Sequence, residues 1–171
     1  MLFFLGSGVI VSVPMALFFE PNPAFLNSFL NNQFEAVLLG AAVVAPFVEE
    51  FAKAYPLFYR HGESQRSLCT LGILVGFGFG IVEFFAYVLS GVPWQIRLPG
   101  VFFHASSTTI TAFGIAAKRS LPFYLMAVLL HGSFNFLESV GESGLAVLVL
   151  VAAYGLAGFL YLTASEKIVA Y

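Results

Sequence analysis

The chain alternates long apolar stretches with short polar breaks. The breaks are rich in Pro, Gly, Asn, Ser or charged residues, which is typical of connectors between helices. An α-helix needs about 20 mostly apolar residues to cross the hydrocarbon core of a membrane. The stretches of suitable length are residues 1–19, 35–58, 68–90, 99–117, 121–139 and 144–164. This pattern predicts an all-α fold, a polytopic membrane bundle of six transmembrane helices in a single domain over residues 1–171.

The composition places these helices in lipid rather than in water. The 171 residues are 60% hydrophobic and 9% charged, and the mean hydropathy is +0.93. Soluble domains are about 45–50% apolar and ~25% charged. The lipid bilayer is therefore an expected partner, whereas a net charge of −2 without a basic patch indicates no nucleic-acid partner.

Two further features of the chain bear on processing and redox state. The first apolar stretch has no basic n-region and no clear A-x-A site. We therefore expect a retained helix rather than a cleaved signal peptide. Cys69 is the only cysteine, which excludes an internal disulfide.

The positive charges predict the orientation of the bundle. One side carries five of them, namely Arg60, Arg66, Lys118, Arg119 and Lys167. The connectors on the other side carry only Arg97. Because cytoplasmic loops of membrane proteins carry an excess of Lys and Arg, we expect both termini in the cytoplasm. The expected location is a prokaryotic cell membrane, crossed several times by the chain.

The second stretch holds three charges, Glu49, Glu50 and Lys53, in the otherwise apolar segment APFVEEFAKAYPLF. A charged side chain at mid-bilayer costs roughly 2.5–3.5 kcal/mol on insertion scales, and each Leu, Val, Ile or Phe returns only about 0.3–0.6 kcal/mol. These charges therefore cannot face lipid. They must be paired, protonated, bound to a metal or turned into a hydrated cavity. Lys53 has the spacing to pair with either glutamate.

The next three stretches add further polar groups. Glu83 lies in the third stretch, His104 in the fourth, and His131 in the fifth, with Asn135 one turn later. Ionisable groups inside a membrane bundle are rare and usually functional. Four consecutive predicted helices thus contribute to one candidate site.

Small residues indicate which way the third helix points its carboxylate. Gly72, Gly76 and Gly80 recur every four residues and form a face on which two helices can pack closely. Glu83 follows Gly80 by three residues, so it lies on or beside that face. We therefore expect Glu83 to face protein rather than lipid.

The depth of each group follows from the rise of 1.5 Å per residue in an α-helix. Glu83, His104 and His131 lie about 10, 8 and 12 Å from the outer ends of their predicted helices, so they can share one level. Glu49 and Glu50 come out deeper, at about 20 Å. That offset weakens the case for a single site.

The residue types allow several kinds of chemistry. Glu83, His104 and His131 form a set of two histidines and a glutamate, which with an open fourth position describes a catalytic zinc centre. Glu49 or Glu50 can then act as general base. A metal-free alternative uses a carboxylate to activate water and His or Asn donors to stabilise the oxyanion. A proton- or cation-coupled transporter and a non-catalytic binding protein remain alternatives.

Four short motifs resemble those of a known family. EEFAK at 49–53 resembles an EExxK motif, FGIVE at 79–83 an FxxxE motif, HASST at 104–108 a His-led motif, and HGSFN at 131–135 an HxxxN motif. In this order, across residues 40–136, they resemble the PrsW family of intramembrane proteases. That family is related to the CAAX prenyl endopeptidases and bacteriocin-processing enzymes. Lys53 favours PrsW, because the CAAX enzymes have Arg one position later.

The resemblance implies an intramembrane endopeptidase of a family often labelled metalloprotease. It implies a catalytic set of Glu49, Glu50, Glu83, His104, His131 and Asn135, with Lys53 in support. Glu49 is then the expected water activator, and His131 with Asn135 resembles an oxyanion-binding pair. The implied substrates are membrane-anchored regulatory proteins, such as anti-sigma factors, cut near the outer face.

Overall fold

The computed structural model describes residues 1–21, 23–30, 32–59 and 63–168. Nearly all of these residues are helical and they contain no strand, which confirms the predicted all-α fold. The elements in chain order are α1 (Leu2–Ser7), a π-helical turn (Gly8–Ser12), α2 (Val13–Phe19), α3 (Pro23–Leu30), α4 (Gln33–Leu39), a second π-helical turn (Gly40–Val44), α5 (Ala45–Ala54), a 3₁₀ turn (Tyr55–Tyr59), α6 (Gln65–Leu89), α7 (Trp94–Ala116), α8 (Ser120–Ser139) and α9 (Ser143–Thr163).

The segment between the first two predicted helices differs from the expected connector. It contains α3, and α4 begins before the predicted helix at residue 35. Asn32 starts α4 as an N-cap, because its Oδ1 accepts from the backbone N–H groups of Phe34 and Glu35 at 3.0 and 3.3 Å. The Glu35 carboxylate in turn accepts from Asn32 Nδ2 at 3.0 Å. This cap extends the second helical segment by two residues at its N-terminal end.

The helix α7 also begins earlier than expected, at Trp94 instead of residue 99. Pro99, the sixth residue of this helix, has no N–H and therefore cannot donate the usual helical bond to the carbonyl of Gln95. Tyr154 of α9 donates to the carbonyl of Pro99 at 2.7 Å. The early start places Arg97 on a helix, where the sequence suggests a loop.

Glycines bring α6 and α7 into close contact, as predicted from their spacing. A Cβ atom added at Gly76 would lie 2.6 Å from Thr108 Oγ1, and one added at Gly80 would lie 2.8 Å from the Cα atom of Val101. Real Cβ atoms essentially never approach other atoms this closely. The backbones of the two helices are therefore in direct contact, and this holds Glu83 of α6 close to His104 of α7.

The surface of the bundle is apolar, as expected for a protein in lipid. Large side chains such as Phe18, Leu129 and Leu162 are more than two-thirds exposed. Among the described residues, four helical segments are long and apolar enough to cross a membrane: Leu2–Leu30, Gln65–Leu89, Ser120–Ser139 and Ser143–Thr163. The two other long segments, α4–α5 and α7, contain the charged residues of the second stretch and the polar HASST motif.

The start of α6 and the end of α9 meet at one end of the bundle. Arg66 of α6 pairs with Glu166 at 2.7 Å and donates to the carbonyl of Leu162 at 3.2 Å. Arg66 and Lys167 thus lie at the same end, in agreement with the grouping of positive charges used to predict the orientation. Arg60 lies outside the described residues.

Candidate active site

The polar residues of the four motifs come from four helices. The helix α5 carries Glu49, Glu50 and Lys53, while α6 carries Glu83. His104 lies on α7, and His131 and Asn135 lie on α8. The following contacts connect all of them except Asn135 in one cluster, and Asn135 lines a cleft beside the histidines.

The centre of the cluster is a buried ion pair within α5. Lys53 Nζ lies 2.7 Å from Glu50 Oε1, and both side chains are fully buried. The same oxygen accepts hydrogen bonds from Ser107 Oγ at 3.0 Å and from His131 Nδ1 at 2.9 Å. Lys53 also lies 2.9 Å from His104 Nδ1 and donates to Ser107 Oγ at 3.4 Å. One turn of α5 is therefore bonded to both α7 and α8.

The hydrogen bonds of Lys53 and Glu50 to the two histidines require a different tautomer of each. An ammonium group has only donors, so Lys53 donates to Nδ1 of His104 and the proton of that ring is on Nε2. A carboxylate has only acceptors, so Nδ1 of His131 donates to Glu50 and the neutral ring carries its lone pair on Nε2. The bond made by one ring nitrogen thus sets the state of the other. The site combines a donor, His104 Nε2, with an acceptor, His131 Nε2.

Glu83 is paired on both of its oxygens. Oε2 accepts a hydrogen bond from His104 Nε2, and Oε1 accepts one from Arg97 Nη2 at 3.1 Å. The Arg97 guanidinium lies over the Tyr87 ring, 3.6 Å from its centroid, so a cation–π contact also holds it. Glu83 therefore orients the His104 ring, and its charge is matched by Arg97.

Glu49 takes no part in the two ion pairs, Glu50–Lys53 and Glu83–Arg97. The residue is only 9% exposed, and its Oε2 is buried with no hydrogen-bond partner among the described residues. His131 Nε2 lies 3.9 Å from this oxygen, which is too far for a hydrogen bond. Two lone-pair atoms thus face each other across a gap. A water molecule that donates to both, or a cation, suits this gap.

Glu49, His104 and His131 form a group that could hold a metal ion, because each offers a ligand atom within 4.8 Å of the others. Glu49 Oε2 and His131 Nε2 fit a metal ion well, since zinc binds carboxylate oxygens and neutral imidazole nitrogens. His104 fits less well, because Lys53 occupies Nδ1 and Glu83 accepts from Nε2. The set expected from the sequence contained Glu83 where the structure has Glu49.

Asn135 contacts the segment that precedes α5. Its Nδ2 donates to the carbonyl of Ala41 at 2.8 Å, and Ala41 lies in the π-helical turn Gly40–Val44. One turn earlier on α8, Gly132 lies so close to the Ala42 carbonyl that no Cβ atom fits there. Turns of π-helix occur frequently at functional sites. Here α8 holds the π turn, and with it the start of the helix that carries both glutamates.

The deeper position expected for Glu49 and Glu50 does not keep them apart from the histidines. The first two turns of their helical segment, α4, pack mainly on α3 rather than on the helices of the site. The predicted depth of Glu49 and Glu50 was counted from the start of this segment, so it included the length of α4, which lies outside the site. The single-site arrangement holds because Glu50 bonds directly to His131.

Three residues outside the sequence-based prediction belong to the site: Glu20, Arg97 and Ser107. Ser107 bridges Glu50 and Lys53. The Glu20 carboxyl group interacts with those of Glu49 and Glu83. Glu20, and to a lesser degree Arg97, could have been predicted from the sequence, because each is a charged residue within one turn of the end of an apolar helix.

Comparison with known families agrees with this geometry. The chain matches a family described as PrsW family intramembrane metalloprotease over residues 1–163, which is nearly its whole length and includes all four motifs. The chain belongs to the PrsW family. No curated protein and no solved structure matches it.

Membership in the PrsW family makes this protein an intramembrane peptidase and an integral membrane protein. The resemblance drawn from the four motifs is therefore confirmed. The family is described as a metalloprotease, and this PrsW protein contains the Glu49, His104 and His131 group that could hold an ion.

Proposed function

We propose that this PrsW-family protein hydrolyses a peptide bond of a membrane-anchored protein, with Glu49 as the group that activates water. The supporting observation is the gap between Glu49 Oε2 and His131 Nε2. Both atoms are acceptors, they lie 3.9 Å apart, and no described residue donates to Glu49 Oε2. A water molecule in the gap would donate one hydrogen bond to each atom and direct a lone pair away from them.

The steps follow general acid–base catalysis. Glu49 takes a proton from the water while the water oxygen attacks the carbonyl carbon of the scissile peptide bond. The carbonyl oxygen then carries the negative charge of a tetrahedral intermediate. When the C–N bond breaks, Glu49 returns the proton to the leaving nitrogen, which gives a carboxylic acid and an amine.

Asn135 supplies a donor for the oxyanion. Its Nδ2 has a second N–H beyond the one given to Ala41, whereas the Nε2 proton of His104 is already donated to Glu83. Asn135 and His104 both line a cleft of about 20 Å³ beside His131, which has room for one water molecule. Each such donor typically contributes about 10²–10³-fold to kcat.

A divalent ion fits the same gap, and the donor types favour zinc. Glu49 and His131 are the residues that would hold it. When bound, it would polarise the attacking water and the substrate carbonyl.

The proposed substrates are proteins anchored by a membrane-spanning helix, of the anti-sigma-factor kind. The depth of the site supports cleavage in the outer half of a prokaryotic membrane. Glu83 lies six residues before the end of α6 and His131 eight before the end of α8, so they are about 9 and 12 Å from those ends. The sequence predicts that these ends face away from the cytoplasm.

Substitution of the central residues tests the proposal. In purified protein reconstituted with a membrane-anchored model substrate, Glu49→Gln, Glu83→Gln and His131→Ala are each expected to lower kcat by at least about 10³-fold. Glu138→Gln, at an exposed position on α8, serves as the matched control and is expected to keep full activity.

Retained cleavage by any of the three variants, in protein free of contaminating proteases, contradicts the proposal. Thermal unfolding in detergent checks that each variant is folded. Reconstituted vesicles that pass protons or cations but cleave nothing would instead support the transporter alternative.

A further inference from the structure

Ser106 of the HASST motif takes no part in the active centre. Its neighbours Ser107, Thr108, Thr109 and Thr111 all donate to carbonyls of α7 itself, at 2.7–3.3 Å. Ser106 is half-buried, and no described residue forms a hydrogen bond with its Oγ. An unpaired hydroxyl at membrane depth is unfavourable, because no water is present to bond to it. Ser106 therefore calls for a partner that has hydrogen-bonding groups.

The side chain of Ser106 lines a groove on the outside of the bundle. The groove has a volume of about 810 Å³ and lies between α6, α7 and α9. Ile73 of α6 lines it together with six residues of α7 and five of α9, most of which are apolar. The unpaired hydroxyl thus opens into a space that a large apolar partner could fill.

The extent of the groove favours a helix over a lipid tail. The groove begins at Leu98, four residues after the outer start of α7, and ends at Leu162, one residue before the inner end of α9. It therefore crosses most of the bundle, whereas one lipid tail covers only half of the ~30 Å hydrocarbon core. A lipid tail also has no acceptor for Ser106, but each backbone carbonyl of a helix has two lone pairs and can accept from it.

Small residues in the groove allow a helix to approach closely. Ala105 of α7 and Ala157 and Gly158 of α9 belong to the lining. A Cβ atom added at Gly158 would have no other atom within 4 Å, so the space above this residue is open. Helices in membranes associate through small residues and interhelical hydrogen bonds. The groove therefore fits a helix that presents small residues of its own.

The groove meets the active-site cleft at the start of α7. Leu98 and Pro99 line the groove, whereas Gly100 lines the cleft that contains His104 and His131. No atom lies within 4 Å of the position that a Cβ atom would have at Gly100. A chain that leaves the groove at its outer end can therefore pass over Gly100 into the cleft.

We propose that this groove binds the membrane-spanning helix of the substrate, with small residues of that helix facing Ser106 and Gly158. The outer end of the helix then leads into the cleft, which places the scissile bond near that end. The inference rests on the proposed function in taking the substrate as the partner. Its test measures binding without cleavage.

Binding of a synthetic peptide in lipid vesicles tests the groove. The probe is one helix of about 20 leucine and alanine residues, with glycine at every fourth position and a dansyl group on an outer tail. The protein carries Glu49→Gln, so that the probe stays intact. Trp94, the only tryptophan, starts α7 beside the groove, and energy transfer from it to the dansyl group reports binding.

Gly158→Leu is expected to raise the Kd of the glycine peptide by at least about tenfold, because the leucine fills the groove. Replacing the glycines of the peptide with leucine is expected to have an effect of the same size, because the helix can then no longer approach closely. Ser106→Ala is expected to raise the Kd by about threefold, the usual effect of one hydrogen bond between helices in a membrane.

Gly155→Leu is the matched control. Gly155 precedes Gly158 by three residues on α9, does not line the groove and also has no atom near the position of a Cβ. Its substitution is expected to leave the Kd within about twofold of the starting value. Circular dichroism and thermal unfolding in detergent check that both leucine variants are folded.

Equal Kd values for Gly158→Leu and Gly155→Leu, or no binding of the glycine peptide to the Glu49→Gln protein, overturn the inference. A dimer of the protein alone that Gly158→Leu dissociates, seen by analytical ultracentrifugation, also overturns it and assigns the groove to a second copy of the chain. Failure of the proposed function looks different: the peptide then binds in the groove, but the wild type cleaves no membrane-anchored protein.

Discussion

At the scale of single residues, the Glu50–Lys53 pair matters most. The two groups are three residues apart on α5, and their contacts include one histidine each. Burying two charges is costly even when they are paired, so such a pair adds little stability by itself. Its effect here is chemical, because it leaves a donor nitrogen on His104 and an acceptor nitrogen on His131.

Replacing Lys53 with methionine tests the importance of the pair. Lys53→Met keeps the length of the side chain but leaves Glu50 as an uncompensated buried charge. We expect a loss of about 3–5 kcal/mol in the free energy of unfolding, measured by thermal or denaturant unfolding in detergent.

An exposed ion pair provides the control for this prediction. Glu166 pairs with Arg66 at a similar distance, 2.7 Å, but its side chain is 68% exposed. Glu166→Gln is expected to change the free energy of unfolding by only about 0–1 kcal/mol. Equal effects of the two substitutions would show that the Glu50–Lys53 pair has no special role.

The sequence identifies a residue of the site only where the residue belongs to a motif or where its position lies deep inside an apolar helix. Glu49, Glu83, His104 and His131 stand out because a charge or an imidazole in an apolar helix needs a partner. Which atom pairs with which could not be predicted, since this depends on the rotation and register of four helices. The sequence therefore grouped Glu83 with the histidines as a candidate ligand, whereas in the structure Glu49 lies near both histidines and Glu83 is paired with His104 and Arg97.

At the scale of elements, the contact between α6 and α7 controls the geometry of the site. Glycines at every fourth position of α6 let the two backbones touch, and Glu83, three residues after Gly80, then bonds to His104 of α7. This contact could be predicted from the spacing of the glycines. The shape of the second helical segment could not be predicted, because neither its π turn nor the packing of α4 on α3 produces a periodic pattern of residues in the sequence.

A methyl group between these helices is expected to be costly. In Gly76→Ala the added Cβ would lie 2.6 Å from Thr108 Oγ1 and close to the backbone of His104. We expect a loss of about 1–3 kcal/mol in the free energy of unfolding, because the backbones must move apart. The same movement separates α6 from His104, so peptidase activity is expected to fall as well.

Gly155→Ala is the matched control, since Gly155 is also inside a helix but has no atom near the position of a Cβ. That substitution is expected to stabilise the protein by about 0.5–1 kcal/mol through helix propensity. If thermal unfolding shows Gly76→Ala to be as stable as Gly155→Ala, the close contact does not exist.

At the scale of the whole molecule, the more apolar segments surround the polar ones. The four helical segments that are long and apolar enough to cross a membrane include α6, α8 and α9. The helix α7 is less apolar, but its polar side chains are buried against its neighbours. The number of helices and their approximate ends followed from hydropathy, whereas the interior position of α7 depends on packing.

The orientation in the membrane leads to a labelling prediction. Ser165 lies beside Arg66 at the predicted cytoplasmic end, and Ser143 starts α9 at the other end. Both are exposed, and the native Cys69 is buried, so a Cys69→Ser background is suitable. In intact cells a membrane-impermeant maleimide is expected to label the Ser143→Cys protein only, because positive charges stay in the cytoplasm. Labelling of the Ser165→Cys protein alone would reverse the orientation.

The order of the helices along the chain has a consequence for biosynthesis. A ribosome delivers α5 to the bilayer before α7 and α8, so Glu50 and Lys53 enter with only each other for charge compensation, at a spacing that allows it. The imidazoles arrive two and three helices later. If the proposed mechanism holds, a nascent chain is expected to have no hydrolytic activity until α8 has been inserted, and truncated translation products are expected not to cleave their neighbours.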